Sequence, residues 1–135
     1  MPKIAEIKKY RDGDVIIKEG THGEATYVIR SGKVNISIKS DGINIVIATL
    51  NEGDIFGHLS FIDREPRSAS AIADGNVEVV LLDKEYMENE INKTSGDFRK
   101  ILTALTERLR ETTFKLVNIS VKYYKLKERL KDKKD

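Results

Sequence analysis

Gly53-Asp-Ile-Phe-Gly-His-Leu-Ser-Phe-Ile-Asp-Arg-Glu-Pro-Arg-Ser-Ala-Ser70 is the stretch on which the reading of this 135-residue chain turns. Gly57 permits a tight turn with close backbone approach. His58 to Ile62 then reads as one helical turn, whose first N–H groups and dipole favour a negative charge. Nine residues beyond His58, Pro66 and Arg67 offer a stiffened loop and a planar cationic fork suited to phosphate, and Ser68 adds a hydroxyl. Glycine turn, short helix and arginine together describe a phosphate cradle. The alternative for Arg67 is a surface ion pair with Glu65 or Asp63.

Upstream, short apolar runs are separated by glycine turns. Asp12-Gly13-Asp14, Gly20, Gly23, Ser31-Gly32, Asp41-Gly42, Glu52-Gly53-Asp54 and Asp74-Gly75-Asn76 all read as turns. The runs between them are Val15–Ile17, Ala25–Ile29, Val34–Ile38, Ile43–Leu50 and Val77–Leu82. Val34, Ile36 and Ile38 alternate strictly with polar residues, and Asp41-Gly42 marks a hairpin. Strands from about Tyr10 to Leu82 at this spacing predict a small antiparallel barrel or roll.

Downstream, the period becomes helical. Asp83 is placed to cap a short helix through Ile91, and Ser95 or Asp97 a much longer one. Phe98, Leu102, Leu105, Leu109, Thr112, Leu116, Ile119, Tyr123, Leu126 and Leu130 follow at alternating spacings of four and three. Such a seam predicts a parallel coiled coil with a second copy along Leu102–Leu130. A helix of about 33 residues, about 50 Å long, outruns a domain this small. Thr112 interrupts the seam and Thr113 follows it, a polar step that sets register or serves a ligand.

The rest of the composition narrows the function. Cysteine is absent and there are two histidines, His22 in a turn and His58 in the cradle. Neither paired metal-ligand spacing nor a nucleophile elbow nor a nucleotide P-loop is present, so the chain reads as non-catalytic, without a metal or resident cofactor. No apolar run reaches the length of a membrane span and no signal-peptide core begins the chain, which makes cytoplasmic the expected location. The net charge is +2, but Lys122–Asp135 carries seven Lys/Arg against three acids. That tail is either a solvated helix end or a contact for anionic partners.

Phe56-Gly57-x-Leu59, followed after six intervening residues by Pro66-Arg67-Ser68-Ala69, resembles the phosphate-binding cassette of cyclic nucleotide-binding domains. Gly13-Asp14, Gly20, Tyr27-Val28-Ile29-x-Ser31-Gly32 and Leu50-x-x-Gly53-Asp54 resemble the turns of the same β-roll. Glu107–Asn118 resembles the long dimer helix of the catabolite activator protein group, with Thr112 and Thr113 at matching distance from His58. The resemblance implies an α+β, mainly β fold: a jelly-roll-like β-roll with short flanking helices in residues 1–96, continuous with a dimerisation helix in 97–135. It implies that Gly57, His58, Leu59, Ser60, Arg67 and Ser68 surround a cyclic phosphate, and that Thr112 and Thr113 meet the base. A threonine hydroxyl accepting from an adenine amine favours cyclic AMP.

Two departures qualify what the family pattern implies. His58 stands where the pattern has a glutamate that accepts the ribose 2′-hydroxyl. Three readings stay open: cyclic AMP bound with altered affinity, another nucleotide or cyclic dinucleotide, or a fold kept as a nucleotide-independent dimeric scaffold. The chain also ends at Lys131-Asp-Lys-Lys-Asp135 without the helix-turn-helix of the activator group. Direct sequence-specific DNA binding is therefore not expected, and the output is expected to pass through the dimer helix, its basic end or another, unknown downstream protein.

Overall fold

Two long strands, β3 (Tyr27–Ser40) and β6 (Ser70–Leu82), lie antiparallel along the middle of a six-stranded sheet in the computed structural model, which describes residues 4–134. Each takes two partners in succession. β3 pairs near its start with β5 (Ile55–Phe56) and towards its end with β4 (Ile43–Leu50). β6 pairs first with β2 (Val15–Ile17) and then with β1 (Ile4–Tyr10). The resulting antiparallel roll, with α1 (His58–Asp63), α2 (Lys84–Asn92) and the 39-residue α3 (Gly96–Lys134), is the fold class expected. Met1–Lys3 and Asp135, the ends of the expected ranges 1–96 and 97–135, lie outside the described residues.

Three expectations are corrected. Ser31-Gly32 and Asp74-Gly75-Asn76 are not turns between strands: β3 and β6 run through both. The pairing register shifts twice between Ile29 and Lys33, so the glycines serve bulges. Gly32 has φ 89°, and a Cβ there would stand 2.4 Å from the Asn76 carbonyl oxygen. Only glycine fits that close approach of two backbones. The roll also begins before Tyr10, because β1 adds an edge strand whose side chains are almost all exposed.

The Arg11–Asp14 and Asn51–Asp54 turns are built alike. Asp14 and Asp54 each accept, through a carboxylate oxygen, the backbone N–H three residues earlier, at 2.7 and 2.8 Å. Short polar side chains of this kind bond their own turn backbone. Inside the roll, Ile17, Tyr27, Ile29, Val34, Phe56, Ala71, Ala73, Val77 and Val79 form the core, with Tyr27 and Phe56 stacked at 5.0 Å. Ile38 leaves this core after a register shift between Ile36 and Ser37, and joins a second cluster.

That second cluster seats α3. Val117 and Val121 are buried against Ile45, with Ile38, Ile43 and Ile47 around them. Two buried valines contribute about 2 kcal/mol each. Ser95 caps the helix, its Oγ accepting the Phe98 N–H at 3.1 Å. Lys125 reaches Asp41 in the β3–β4 turn at 2.7 Å. The helix thus lies on the roll by a face that includes Thr106, Val117 and Val121, while Leu105, Leu109, Leu116, Ile119, Tyr123, Leu126 and Leu130 remain about half or more exposed. Leu102 alone of the seam leucines is half-buried within the chain.

Candidate functional site

A cavity of about 290 Å³ opens where the cassette meets the roll. Its floor is Ile17, Ile36, Leu50 and Ala71; its rim is Gly57, His58, Leu59, Ser60, Arg67 and Ser68. Every cassette residue expected from the sequence therefore lines one cavity. Gly57 makes the turn at φ 83°, and a Cβ there would lie 2.7 Å from the Ala25 carbonyl and 3.2 Å from Arg67 Nη1. α1 starts directly after it with no side-chain cap, leaving the helix start for a ligand or water.

Arg67 is not on the surface. It is 7% exposed, and neither Asp63 nor Glu65 pairs with it. Nη1 donates to the Gly57 carbonyl at 2.7 Å and Nη2 to the Ala25 carbonyl at 2.9 Å. Its own backbone is pinned by Gly20 and Thr21. Burial lowers its pKa from the ordinary arginine value, yet a guanidinium stays protonated in a protein. Two of its five N–H groups are used, leaving three. Among the described residues no carboxylate comes within 4.0 Å of it. The nearby Glu24 carboxylate, bound to Lys84, acts on its charge from beyond that distance, so the spare N–H groups stay open to an anion.

His58 is half-buried, and burial holds its pKa below the ordinary 6.5. Its Nδ1 is enclosed without a hydrogen-bond partner. The imidazole is therefore neutral near pH 7. A depressed histidine pKa makes folding stability complete above the unfolded value and lost as pH falls below it. As pH falls below 6.5 the wild type should lose stability that His58→Gln retains, as denaturant midpoints followed into acid would show.

Two residues outside the expected set shape the site. Asp63, at the end of α1, receives Arg110 of α3 in a bidentate pair, Nε to Oδ2 at 2.6 Å and Nη2 to Oδ1 at 3.0 Å. Arg110 Nη1 also donates to the Pro66 carbonyl at 3.3 Å, and Asp63 Oδ1 accepts the Glu65 N–H at 3.0 Å. Burial pushes the Asp63 carboxyl up, but these hydrogen bonds and the Arg110 charge outweigh it and hold the pKa low. Arg64 between them adopts φ 58°, so the pair fixes a strained loop immediately before Arg67. From α3, Leu109 closes the cavity. Thr113 lies in an adjoining cavity of about 230 Å³ with Ser68, Lys39 and Arg110. Thr112 is exposed on the seam and lines neither. Within one chain, then, only Thr113 stands near the cassette.

Comparison with known proteins places this geometry. The family model "Cyclic nucleotide-binding domain" matches residues 7–94. The chain belongs to that family. It is similar to the CRP-like cAMP-activated global transcriptional regulator of Mycobacterium tuberculosis, 32% identical over 108 residues, covering 79% of this chain and 48% of the relative. The domain thus spans about half the length of that curated relative. Among solved structures it resembles the EAL enzyme Bd1971 in its cAMP-bound form, at 26% identity and a TM-score of 0.78, covering 87% of this chain and 32% of the other. It also resembles the regulatory subunit of a cAMP-independent protein kinase A from Trypanosoma brucei, at 27% identity and a TM-score of 0.58, covering 62% and 31%. No helix of the described domain is long and apolar enough to cross a membrane.

Proposed function

We propose that the chain is a non-catalytic cytoplasmic sensor that binds a cyclic nucleotide, cyclic AMP by preference, and signals through a homodimer formed along α3. The observation that carries this reading is Arg67, a buried guanidinium with spare N–H groups and no carboxylate bonded to them, set beside the open start of α1. A cyclic phosphate can take those N–H groups, and the apolar floor accommodates the sugar and base. The exposed seam from Leu105 to Ile119 supports dimerisation. In such a dimer Thr112 faces a second copy, whose base-binding cavity it can approach as the partner's contribution. Phosphate binding then orders the cassette and shifts the setting of the two helices.

Calorimetric titration with cyclic AMP, cyclic GMP and cyclic di-GMP at pH 6 and pH 8 tests the reading. Cyclic AMP should bind in the micromolar range. His58→Glu should tighten it about 10-fold, by providing a charged acceptor for the ribose hydroxyl. Silence towards all three in a protein that remains dimeric would favour the second reading, a nucleotide-independent scaffold. The likeness to a protein kinase A described as cAMP-independent keeps that reading in view.

A further inference from the structure

The seam of α3 continues beyond the roll into a different electrostatic setting. With Leu109, Leu116 and Tyr123 one row of the heptad and Leu105, Thr112 and Ile119 the other, the flanking rows can be read off directly. The flank next to Tyr123 and Leu130 carries Lys122 and Arg129, and the opposite flank carries Lys127. Higher on the helix that opposite flank is Thr106, Thr113 and Ser120, buried or half-buried under the chain's own roll. In a parallel dimer each flank meets the other flank of the second copy, five residues on. Arg108 and Lys115 then face uncharged Thr113 and Ser120, but Lys122 faces Lys127. From residue 122 onward a second copy brings only like charge to the flanks.

The apolar stripe does not stop there. Tyr123, Leu126 and Leu130 are 60%, 57% and 55% exposed. Among the described residues, Lys122, Lys127 and Arg129 have no carboxylate within 4.0 Å. An apolar seam with an unmatched cationic border asks for an apolar stripe with an anionic border. We infer that residues 122–134 form the docking site for an acidic amphipathic helix of a partner protein. That helix lays apolar residues at heptad spacing on Tyr123, Leu126 and Leu130, and carboxylates against Lys122, Lys127 and Arg129. The narrowness of the stripe decides against a lipid surface. After Tyr124 only two apolar side chains remain, both hemmed by cations, whereas interfacial helices present a broad apolar face. A nucleic acid would meet the cations and leave the leucines in water.

The inference rests on the sensor-and-dimer reading for its purpose, and its test is independent of it. The probe is a synthetic helix of about 21 residues with leucine at the seam positions and glutamate on both flanks. Binding to the full chain is followed by fluorescence anisotropy at about 50 and 500 mM salt. Micromolar binding that weakens at least about 10-fold at high salt is expected, and K122E/K127E/R129E should abolish it. Cyclic AMP titrated into the same variant should bind as in the wild type, since these residues lie away from the cassette; loss of nucleotide binding by the wild type itself would instead strike the sensor reading. Three results overturn the inference: unchanged peptide affinity in the charge-reversed variant, tighter binding to phosphatidylserine vesicles or duplex DNA than to the peptide, or a salt-insensitive dimer in sedimentation that excludes the peptide and so assigns this segment to a second copy.

Discussion

Arg67→Ala should reduce cyclic nucleotide affinity by at least about 100-fold, because it removes the charged fork for the phosphate. Two side effects follow from the geometry. The Gly57 and Ala25 carbonyls each lose their guanidinium donor, and unmet buried acceptors cost about 1–3 kcal/mol apiece. The variant should therefore also be less stable, which makes Arg67→Lys the informative companion. Lysine keeps the charge but replaces a planar fork with a point donor. It should recover part of the affinity and little of the stability. Titration calorimetry beside urea denaturation separates the two effects. Affinity within about threefold of wild type in a folded Arg67→Ala protein would remove the phosphate from the reading of this site.

Arg110→Ala should destabilise the domain by about 3 kcal/mol, since it strands the Asp63 carboxylate, whose side chain is 7% exposed, without its bidentate partner. Asp63→Asn should cost less alone, and the two changes together should fall well short of additive in a double-mutant cycle. Acid offers a second view. The Asp63 carboxyl is held below its ordinary 3.8, so its contribution is present above that value and lost as pH falls through the folded one. The larger consequence concerns coupling. Bound ligand should slow amide exchange along residues 105–120 in the wild type, and Arg110→Ala should erase that response while some binding survives. Thr112→Ala, remote from the cassette in its own chain, should retain it if Asp63 and Arg110 carry the signal. Equal loss in both variants would return that role to the threonines.

Why some of this was legible in the chain and some was not follows from how far each signal reaches. The cassette declared itself because glycine, helix start, proline and arginine act within a dozen residues, and all of Gly57–Ser60, Arg67 and Ser68 meet at one cavity. The capping serine of α3 and the exposed seam were local in the same sense. Gly32 and Gly75 misled because a glycine between apolar runs signals either a turn or a bulge. The choice depends on strands forty residues apart. β1 carried no alternation to detect, since neither of its faces is buried. Asp63 and Arg110 stand 47 positions apart, and Arg110 lies off the apolar seam, where a charged residue reads as solvated surface. Leu109 was read as an interface residue only, although it also closes the cavity.

α3 is long relative to what holds it. Arg110 grips the cassette near the middle of the helix, and Val117, Val121 and Lys125 seat the following turns on the roll. Nine residues then separate Lys125 from Lys134, an overhang of about 14 Å at 1.5 Å per residue. A pull on Arg110 therefore meets a second anchorage before it reaches the tip. The helix works as a beam held at two supports, and the give of the second one, as much as affinity in the cavity, sets how strongly a bound molecule is felt at its end.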